Sequence, residues 1–345
     1  MLKFTIIFGT RPEYLKLKSI INQFKIQEKF KYNVIYIQQH TDIDEEFDME
    51  YDTLSIDNSV NTSRLCCIGE NILLKLPKWV IDSNYIIVQG DTATAFYSAL
   101  CGFQLQKKII HIEAGLRTYD LDRPYPEEAY RQMISRIAYL HFTPHDDSSS
   151  CLIDEKVTGK IYTIGNTILD LVSSYNLKCM FSNMVLITFH RRENWDNIDS
   201  LLLGLKKLIN KTPDIKYIWY LHPNPVLQQK VRESVKELSA IELHEPCNHR
   251  EFTIQIANSN FVITDSGGIQ EEASFLGKHS IVLRASTERS HIPKDYITVL
   301  EDYTKLDEIY ENIPKHNLNP CNVYGYGNSA ENMMKYLEET MITHI

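Results

Sequence analysis

Short apolar runs of three to six residues recur along the chain and alternate with stretches that have helical spacing. The runs lie at residues 4–8, 34–37, 85–89, 109–113 and 139–143 in the first half, and at 185–189, 217–222, 241–243, 261–264 and 280–283 in the second. Such alternation is typical of βαβ units with a buried parallel sheet. The pattern therefore predicts an α/β protein with two Rossmann-like, doubly wound sheets.

The two sets of runs also predict how the chain is organised. A length of 345 residues, 43% of them apolar, is too long for one ordinary core and suits two domains. We place an N-terminal Rossmann-like domain at residues 1–166, a second at 167–328, and a final helical segment at 329–345 that could pack back on the first. Binding residues are expected in loops at the carboxyl ends of the strands.

The charge balance argues against two classes of partner. The formal net charge is −9, the pI is near 5.8, and no basic stripe could neutralise phosphates over a surface, so we expect neither nucleic acid nor an anionic membrane. The run at residues 4–8 is short and lacks a cleavage-like site, which predicts a first strand and not a signal peptide. No run approaches the ~20 residues of a membrane helix. We expect a cytoplasmic protein.

Cysteines and histidines give little sign of metal chemistry. The seven cysteines have no C-x-x-C spacing, which suits reduced thiols. His141 and His145 lie near Asp146 and Asp147, but no converging cysteines or helical H-E-x-x-H motif accompany them. We therefore expect neither disulfides nor a bound metal.

Two predicted strand-to-helix turns have the features of anion sites. Arg11 and Lys16 lie at the start of the helix after the first strand, where free N–H groups and the helix dipole favour a phosphate or carboxylate. In the second half, Gly267 and Gly268 lead from a strand into a helix and would let a diphosphate approach the backbone, while Glu272 could accept both ribose hydroxyls. Taken alone, each segment fits an ordinary capped turn equally well.

Carboxylates and a histidine also follow predicted strands. Asp91 and Glu113 each end a strand of the first sheet and so share one edge, where like charges raise a pKa and suit general acid/base work. Glu127 opens a further acidic pair, and His190 ends the first strand of the second half, where it could move a proton. Helix caps, salt bridges to Arg117, Arg123 or Arg131, and a satisfied loop histidine would explain each of these residues alone.

Taken together and in order, these segments resemble the non-hydrolysing UDP-N-acetylglucosamine 2-epimerases, from residue 3 to about residue 337. The matching strings are Phe8-Gly-Thr-Arg-Pro-Glu13, Gln89-Gly-Asp-Thr92, His111-Ile-Glu-Ala-Gly-Leu-Arg-Thr118, Pro126-Glu-Glu-Ala129, His190-Arg-Arg-Glu193, Thr264-Asp-Ser-Gly-Gly-Ile-Gln-Glu-Glu-Ala273 and Thr287-Glu-Arg289. Their order and spacing are those of the family.

The resemblance implies two Rossmann-like domains in a glycosyltransferase-B arrangement, with the active site in the interdomain cleft, and usually a homodimer. It implies no metal, nicotinamide or other cofactor. The implied reaction is reversible 2-epimerisation of a UDP-N-acetylhexosamine, most simply UDP-GlcNAc to UDP-ManNAc, a precursor of surface polysaccharides. UDP would leave by anti elimination to give 2-acetamidoglucal, and would add again after the C2 proton returns to the opposite face.

Matched position by position, the resemblance assigns acid/base chemistry to Asp91, Glu113 and Glu127. Lys16 and His190 would assist charge development at the glycosidic oxygen and the phosphate. A second group would hold the nucleotide and the sugar, with Phe252 beside the uracil: Arg11, Arg117, Phe252, Ser266, Gly267, Gly268 and Glu272.

Some positions depart from the family pattern. His249 stands three residues after Pro246, where the family usually has Tyr, which predicts an altered uracil pocket. Tyr130 replaces a usual Asn, and Tyr326 stands where an acid is common. Residues 40–46 differ from a string that helps build an activating UDP-GlcNAc site in bacterial members, so we do not expect activation by substrate.

Other functions of the same fold remain open at this point. A hydrolysing 2-epimerase would release free N-acetylmannosamine, and a related epimerase would accept a 6-deoxy or uronate UDP-hexosamine. A glycosyltransferase is a further alternative, since fold does not fix chemistry. Transfer needs at most one base, however, whereas moving a carbon-bound proton between faces needs acid/base groups on both sides. A catalytically dead UDP-sugar sensor would be expected to lack one of the three carboxylates, and all three are present.

Overall fold

The computed structural model describes residues 1–27, 29–39, 47–57, 63–222, 224–236, 238–285, 287, 289 and 291–342. Residues 40–46, whose sequence departs from the family pattern, lie outside these ranges. The chain forms two compact units: Met1–Leu171 with Tyr324–Ile345 is unit 1, and Val172–Val323 is unit 2. Among the helices in the described ranges, none combines the length and apolar character needed to cross a membrane.

Unit 1 is built on a parallel sheet of seven strands in the order β3-β2-β1-β4-β5-β6-β7. The strands are β1 (Lys3–Phe8), β2 (Lys31–Gln38), β3 (Asp52–Ser55), β4 (Tyr85–Gln89), β5 (Lys108–Ile112), β6 (Ala138–Thr143) and β7 (Lys160–Thr163). The order reverses between β1 and β4, so ligand-binding loops are expected beside the carboxyl ends of these two strands.

Unit 2 is built on a parallel sheet of six strands in the order β10-β9-β8-β11-β12-β13. These strands are β8 (Met184–Thr188), β9 (Lys216–Tyr220), β10 (Ile241–His244), β11 (Phe261–Thr264), β12 (His279–Leu283) and β13 (Ile297–Leu300). Here the order reverses between β8 and β11, which makes their carboxyl ends the corresponding place for a ligand.

Helices connect the strands in both units. They are α1 (Arg11–Ile26), α2 (Arg64–Lys75), α3 (Pro77–Val80), α4 (Ala93–Gln104), α5 (Glu127–Ile137), α6 (Asp146–Asp154), α7 (Thr167–Ser174), α8 (Ile198–Lys211), α9 (Pro225–Ser234), α10 (His249–Asn258), α11 (Gly267–Phe275), α12 (Leu306–Asn312) and α13 (Ser329–Ile342). Short 3₁₀ turns at Arg192–Asn197 and Tyr303–Lys305 precede α8 and α12.

Both sheets are buried on their two faces, as strand β1 illustrates. Phe4, Ile6 and Phe8 join one hydrophobic cluster of unit 1, while Ile7 joins another. Because successive side chains of a strand point to opposite faces, the two clusters lie on opposite faces of the sheet. Burial on both faces explains why these strands read as continuous apolar runs and not as alternating ones.

The last helix, α13, belongs to unit 1 and packs against α1. Its first turn is held by Asp170, whose two carboxylate oxygens accept the N–H groups of Ser329 (2.8 Å) and Ala330 (2.7 Å). An acid that accepts these otherwise unpaired N–H groups stabilises the start of a helix. Helix α13 thereby packs its buried residues into the same hydrophobic cluster as the first strands.

Candidate functional site

The candidate site of unit 1 lies at the carboxyl ends of β1, β4 and β5. Asp91 follows β4 after Gly90, and Glu113 directly follows β5 with a left-handed backbone, φ 61°. The Gly90 N–H donates to the carbonyl of Ile112 (2.9 Å), which ties the two loops together. A non-glycine residue in the left-handed region is uncommon and is often found at functional sites.

Glu113 forms an ion pair with Lys16 of α1. Lys16 Nζ lies 2.6 Å from Glu113 Oε2, and Gln89 Nε2 donates a hydrogen bond to the same oxygen. The Glu113 side chain is only 8% exposed. Helix α1 therefore supplies a cation to a nearly buried carboxylate on the neighbouring loop.

Asp91 is held by a different cation, Arg131 of α5. Arg131 Nη2 lies 2.6 Å from Asp91 Oδ2. Burial raises the pKa of Asp91, the positive charge of Arg131 lowers it, the negative charge of Glu113 raises it and Lys16 lowers it. These mutual effects show that the two carboxylates and two cations form one electrostatic cluster, which is the arrangement expected of acid/base groups.

Buried Glu13 joins the loop after β1 to the loop after β4. Its carboxylate accepts hydrogen bonds from the Gly9 N–H (3.1 Å) and from the hydroxyls of Thr10 and Thr92 (2.7 Å each). Burial raises the pKa of Glu13, and these donors lower it. Arg11, the first and exposed residue of α1, thus projects from a loop fixed relative to Asp91.

Glu127 and Glu128 begin α5 but have different surroundings. Glu127 is partly exposed. Glu128 is fully buried and accepts hydrogen bonds from the N–H groups of Thr118 (3.0 Å) and Tyr119 (3.1 Å). Of this acidic pair, only Glu127 has solvent exposure.

Arg117 is not brought together with the other predicted residues of unit 1. Its side chain is 1% exposed, and Nε and Nη2 donate to the two oxygens of Glu155 at 2.6 and 2.9 Å. Nη2 also donates to the Ser135 hydroxyl at 2.8 Å. This bidentate pair ties the loop after β5 to the end of α6.

In unit 2, the loop after β8 is held by Asp265. This fully buried carboxylate accepts the N–H groups of His190 and Arg191 (2.9 Å each) and the amide of Asn194 (3.0 Å). Because Asp265 precedes Ser266, it couples the position of His190 to that of the predicted phosphate-binding turn. Burial lowers the pKa of His190, Asp265 raises it, and His222, whose ring centre lies 5.5 Å away, lowers it.

The predicted phosphate-binding turn forms the start of α11. Ser266 precedes the helix, its side chain makes no capping bond, and Gly267 and Gly268 form the first two positions. A Cβ added to Gly268 would meet no atom of the described residues within 4 Å, whereas one on Gly267 would lie 2.9 Å from the guanidinium carbon of Arg289. The start of this helix thus lies beside the guanidinium of Arg289, which also pairs with Glu271 at 2.8 Å, and the N–H groups of a helix start favour anions.

Glu272 lies one turn further along α11. It is nearly buried, with a side chain 9% exposed, and its Oε2 lies 3.0 Å from His249 Nε2. Phe252 of α10 is partly buried and packs edge-on against Tyr220, with ring centres 5.4 Å apart. Unit 2 therefore brings the predicted phosphate-binding turn, a carboxylate and an aromatic ring to the end of its sheet where His190 lies.

Several residues that organise these sites have no predicted functional role, although a salt bridge to Arg131 is one of the expectations for the loop carboxylates. Arg131 joins α5 to the loop after β4, Glu13 and Asp265 each join loops that are distant along the chain, and Arg289 approaches Gly267 from a loop after β12. Their only signal in the sequence is that three of them, Glu13, Asp265 and Arg289, lie inside the strings that match the family. Arg131 lies one turn after Glu127 on α5, where helical spacing places the two on similar faces.

The two groups of side chains and the two parallel sheets define an α/β enzyme of paired Rossmann-like domains. Comparison with known proteins makes the class specific. The family model for UDP-N-acetylglucosamine 2-epimerase matches residues 22–338. A UDP-N-acetylglucosamine 2-epimerase of Campylobacter jejuni is 32% identical in an alignment that covers 97% of both chains.

Solved structures give the same answer. A UDP-GlcNAc 2-epimerase from Neisseria meningitidis, bound to UDP-GlcNAc, has a TM-score of 0.88 and 29% identity, and the match covers 98% of this chain and all of that one. The Methanocaldococcus jannaschii enzyme, in complex with UDP-GlcNAc and UDP, has a TM-score of 0.80 and 27% identity. That match covers 98% of this chain and 100% of the other. The chain therefore belongs to the UDP-N-acetylglucosamine 2-epimerase family, and the predicted enzyme class and the predicted α/β fold class with two Rossmann-like sheets are confirmed.

Proposed function

We propose that this protein interconverts UDP-GlcNAc and UDP-ManNAc by inverting the configuration at C2. The observation that carries the proposal is the cluster in unit 1, where Asp91 and Glu113 lie at adjacent strand ends, each paired with a cation at 2.6 Å. Two carboxylates suit a reaction that removes a carbon-bound proton from one face and returns it to the other. Family membership supplies the nucleotide sugar as the substrate class.

The proposed reaction has two half-reactions and is redox-neutral. A carboxylate takes the C2 proton while the bond between C1 and the diphosphate oxygen breaks, which leaves a C1–C2 double bond in 2-acetamidoglucal and releases UDP within the site. In the second half-reaction a proton is delivered to the opposite face of C2, and a diphosphate oxygen bonds to C1 again. Asp91, Glu113 and Glu127 are the proposed proton carriers.

Charge develops on the departing diphosphate, so stabilisation of that anion is the second requirement. We assign it to Lys16 and Arg11 of unit 1, and to His190, Ser266 and the N–H groups of Gly267 and Gly268 of unit 2. We add Arg289, whose guanidinium lies against Gly267 while its Nε donates to Glu271 Oε1 at 2.8 Å. The proposed ribose acceptor is Glu272, and Phe252 is the proposed uracil neighbour. Arg117 is assigned to structure because its donors are occupied by Glu155, Ser135 and the Leu116 carbonyl.

Proton NMR of the purified protein with UDP-GlcNAc in deuterium oxide tests the reaction directly. We expect UDP-ManNAc to appear and deuterium to enter C2 of both sugars, because the C2 proton exchanges with solvent in the eliminated state. Free N-acetylmannosamine with UDP would establish the hydrolysing reaction instead. An unchanged spectrum would reject UDP-GlcNAc as the substrate, and the same assay would then be run with 6-deoxy and uronate UDP-hexosamines.

A homodimer in the cytoplasm and a role in surface polysaccharide synthesis complete the proposal. Light scattering from the purified protein should give twice the chain mass of 40.2 kDa. A mass equal to that of one chain would reject the dimer without affecting the proposed chemistry.

A further inference from the structure

His249 forms a chain of hydrogen bonds that joins three elements of unit 2. The Tyr175 hydroxyl, just after α7, lies 3.0 Å from His249 Nδ1, and His249 Nε2, at the start of α10, lies 3.0 Å from Glu272 Oε2 on α11. The side chains of His249 and Glu272 are 12% and 9% exposed. The imidazole thus bridges a phenol and a carboxylate in a largely dehydrated setting.

The chemistry of the three groups fixes the direction of the chain. An ionised carboxylate only accepts hydrogen bonds, so Nε2 must carry the proton that it shares with Glu272. In the neutral imidazole, Nδ1 is then an acceptor, and the Tyr175 hydroxyl donates to it. The carboxylate therefore selects the imidazole tautomer, and the phenol holds the ring by a hydrogen bond to Nδ1.

The position of His249 is itself fixed by its helix. Asn248 caps α10 by accepting the Glu251 N–H at 2.9 Å, and the Thr253 hydroxyl donates to the His249 carbonyl at 2.7 Å. A ring with a fixed backbone and two hydrogen bonds has little rotational freedom. The Glu272 carboxylate that it contacts is restrained in the same way.

One oxygen of Glu272 remains for a ligand. His249 takes Oε2, and within the described part of the chain Oε1 makes no hydrogen bond. A carboxylate oxygen accepts two hydrogen bonds, so an oriented carboxylate can receive two neighbouring hydroxyls, one on Oε1 and one on the second lone pair of Oε2. Adjacent hydroxyls of this kind are what a ribose ring presents.

We infer that His249 is a positioning residue for nucleotide recognition: with Tyr175, it orients the Glu272 carboxylate toward the 2′- and 3′-hydroxyls of the ribose. The inference rests on the proposed function, because it assumes that UDP binds to unit 2 through Glu272. His249 touches no reacting atom in this role. It sets how strongly the site distinguishes a ribose from a sugar that lacks both hydroxyls.

The test is a comparison of two ligands, UDP and 2′,3′-dideoxyuridine diphosphate, by titration calorimetry on the full chain. The parent protein should bind UDP at least about tenfold more tightly, since a hydrogen bond to a charged group contributes about that factor or more. His249→Phe keeps an aromatic ring and removes both nitrogens. The preference for UDP should then fall below about threefold, while the Kd of the dideoxy ligand changes by less than about threefold.

Two further variants separate orientation from packing. His249→Gln retains an N–H donor for Glu272 and should recover most of the preference, whereas Tyr175→Phe should lower it about threefold because the ring loses the hydrogen bond that holds Nδ1 in place. His244→Phe is the matched control. His244 forms a similar imidazole–carboxylate pair with Glu242, at 2.7 Å on edge strand β10, and this variant should keep the full preference.

The outcomes separate this inference from the proposed function. If His249→Phe weakens both ligands equally, or if the preference is unchanged in His249→Phe and Tyr175→Phe, the ring only packs and the inference is wrong although UDP still binds. If the parent protein binds neither ligand, the proposed function is rejected and the inference with it. Should His249→Phe not fold, the Gln and Tyr175 variants decide the question.

Discussion

The guanidinium of Arg131 lies 2.6 Å from Asp91 and 3.5 Å from Glu128, so one nearly buried cation serves two acids of unit 1. The positive charge of Arg131 lowers the pKa of Asp91 against the effect of burial. Arg131→Gln removes that charge and should move the Asp91 limb of the pH–rate profile upward by about one pH unit or more. Arg131→Lys keeps the charge and should move the limb by less than half of that. If the limb of the pH–rate profile shifted by the same amount in both variants, this electrostatic role would be contradicted.

Asp91→Asn tests whether Asp91 carries a proton or only binds. The amide is nearly the same size but cannot exchange a proton in the reaction, so turnover should fall at least about a hundredfold while the Kd of UDP stays within about threefold. Asp82→Asn makes the same change at an exposed position and should leave both unaltered. A large loss of UDP affinity would make Asp91 a binding or folding residue.

Asp265→Asn should destabilise unit 2. The fully buried carboxylate accepts hydrogen bonds from two backbone N–H groups and one side-chain amide. The NH₂ group of an asparagine at this position would face these donors and could not accept their hydrogen bonds. We expect the free energy of unfolding in urea to fall by about 2–4 kcal/mol. Exposed Asp214→Asn is the control. Unchanged stability would mean that the loop carrying His190 does not depend on this carboxylate.

Arg117→Gln distinguishes a structural arginine from a ligand-binding one. It leaves Glu155 without its bidentate partner, so thermal and urea unfolding should show a loss of about 3 kcal/mol, while the Kd of UDP at low temperature changes by less than about threefold. Adding Glu155→Gln should restore part of the loss, because no uncompensated charge is then left. A tenfold weaker UDP affinity in a stable Arg117→Gln protein would return Arg117 to the binding site.

Two buried histidines predict a loss of stability in acid. His111 and His141 lie opposite each other on β5 and β6, and burial lowers their pKa values to about 4 and about 3. Neither ring nitrogen of His141 has a hydrogen-bond partner among the described residues. As pH falls below about 6.5, these two histidines bind protons in the unfolded chain but stay neutral in the folded chain, so the free energy of unfolding declines toward pH 4.

The variant His141→Leu isolates one of these two groups. Between about pH 6 and pH 4 its unfolding free energy should fall by about 1.4 kcal/mol less per pH unit than that of the parent. His316→Leu, at an exposed position, should keep the parent slope. Identical slopes for the parent and His141→Leu would show that His141 is protonated in the fold.

The sequence predicted the central strands well and missed three at sheet edges. Strand β4 and strand β11 have the predicted bounds, because fully buried strands read as uninterrupted apolar runs. The missed strands are β3, β7 and β13, each of four residues at the end of a sheet order. An edge strand has one partner and fewer buried side chains, so its residues carry little apolar signal; in β3 only Leu54 is buried.

The candidate site was predictable only where chemistry follows a strand end. Asp91, Glu113 and His190 could be placed because loop position follows from the strand pattern. The pairing of Asp91 with Arg131, and of His249 with Glu272, depends on how helices pack against the sheets. The pairing of Arg117 was also unpredictable from the strand pattern. Its guanidinium donates to Glu155, a residue 38 positions away along the chain.

The return of α13 to unit 1 has a consequence for biosynthesis. The same buried cluster contains residues of the first strand and, from α13, Ala330, Met333, Met334 and Leu337. Asp170 accepts the N–H groups at the start of that helix. A ribosome therefore delivers residues 172–323 in full before it delivers the last part of the core that residues 1–171 need. Unit 1, whose synthesis begins first, therefore cannot complete its core until all of unit 2 has been synthesised.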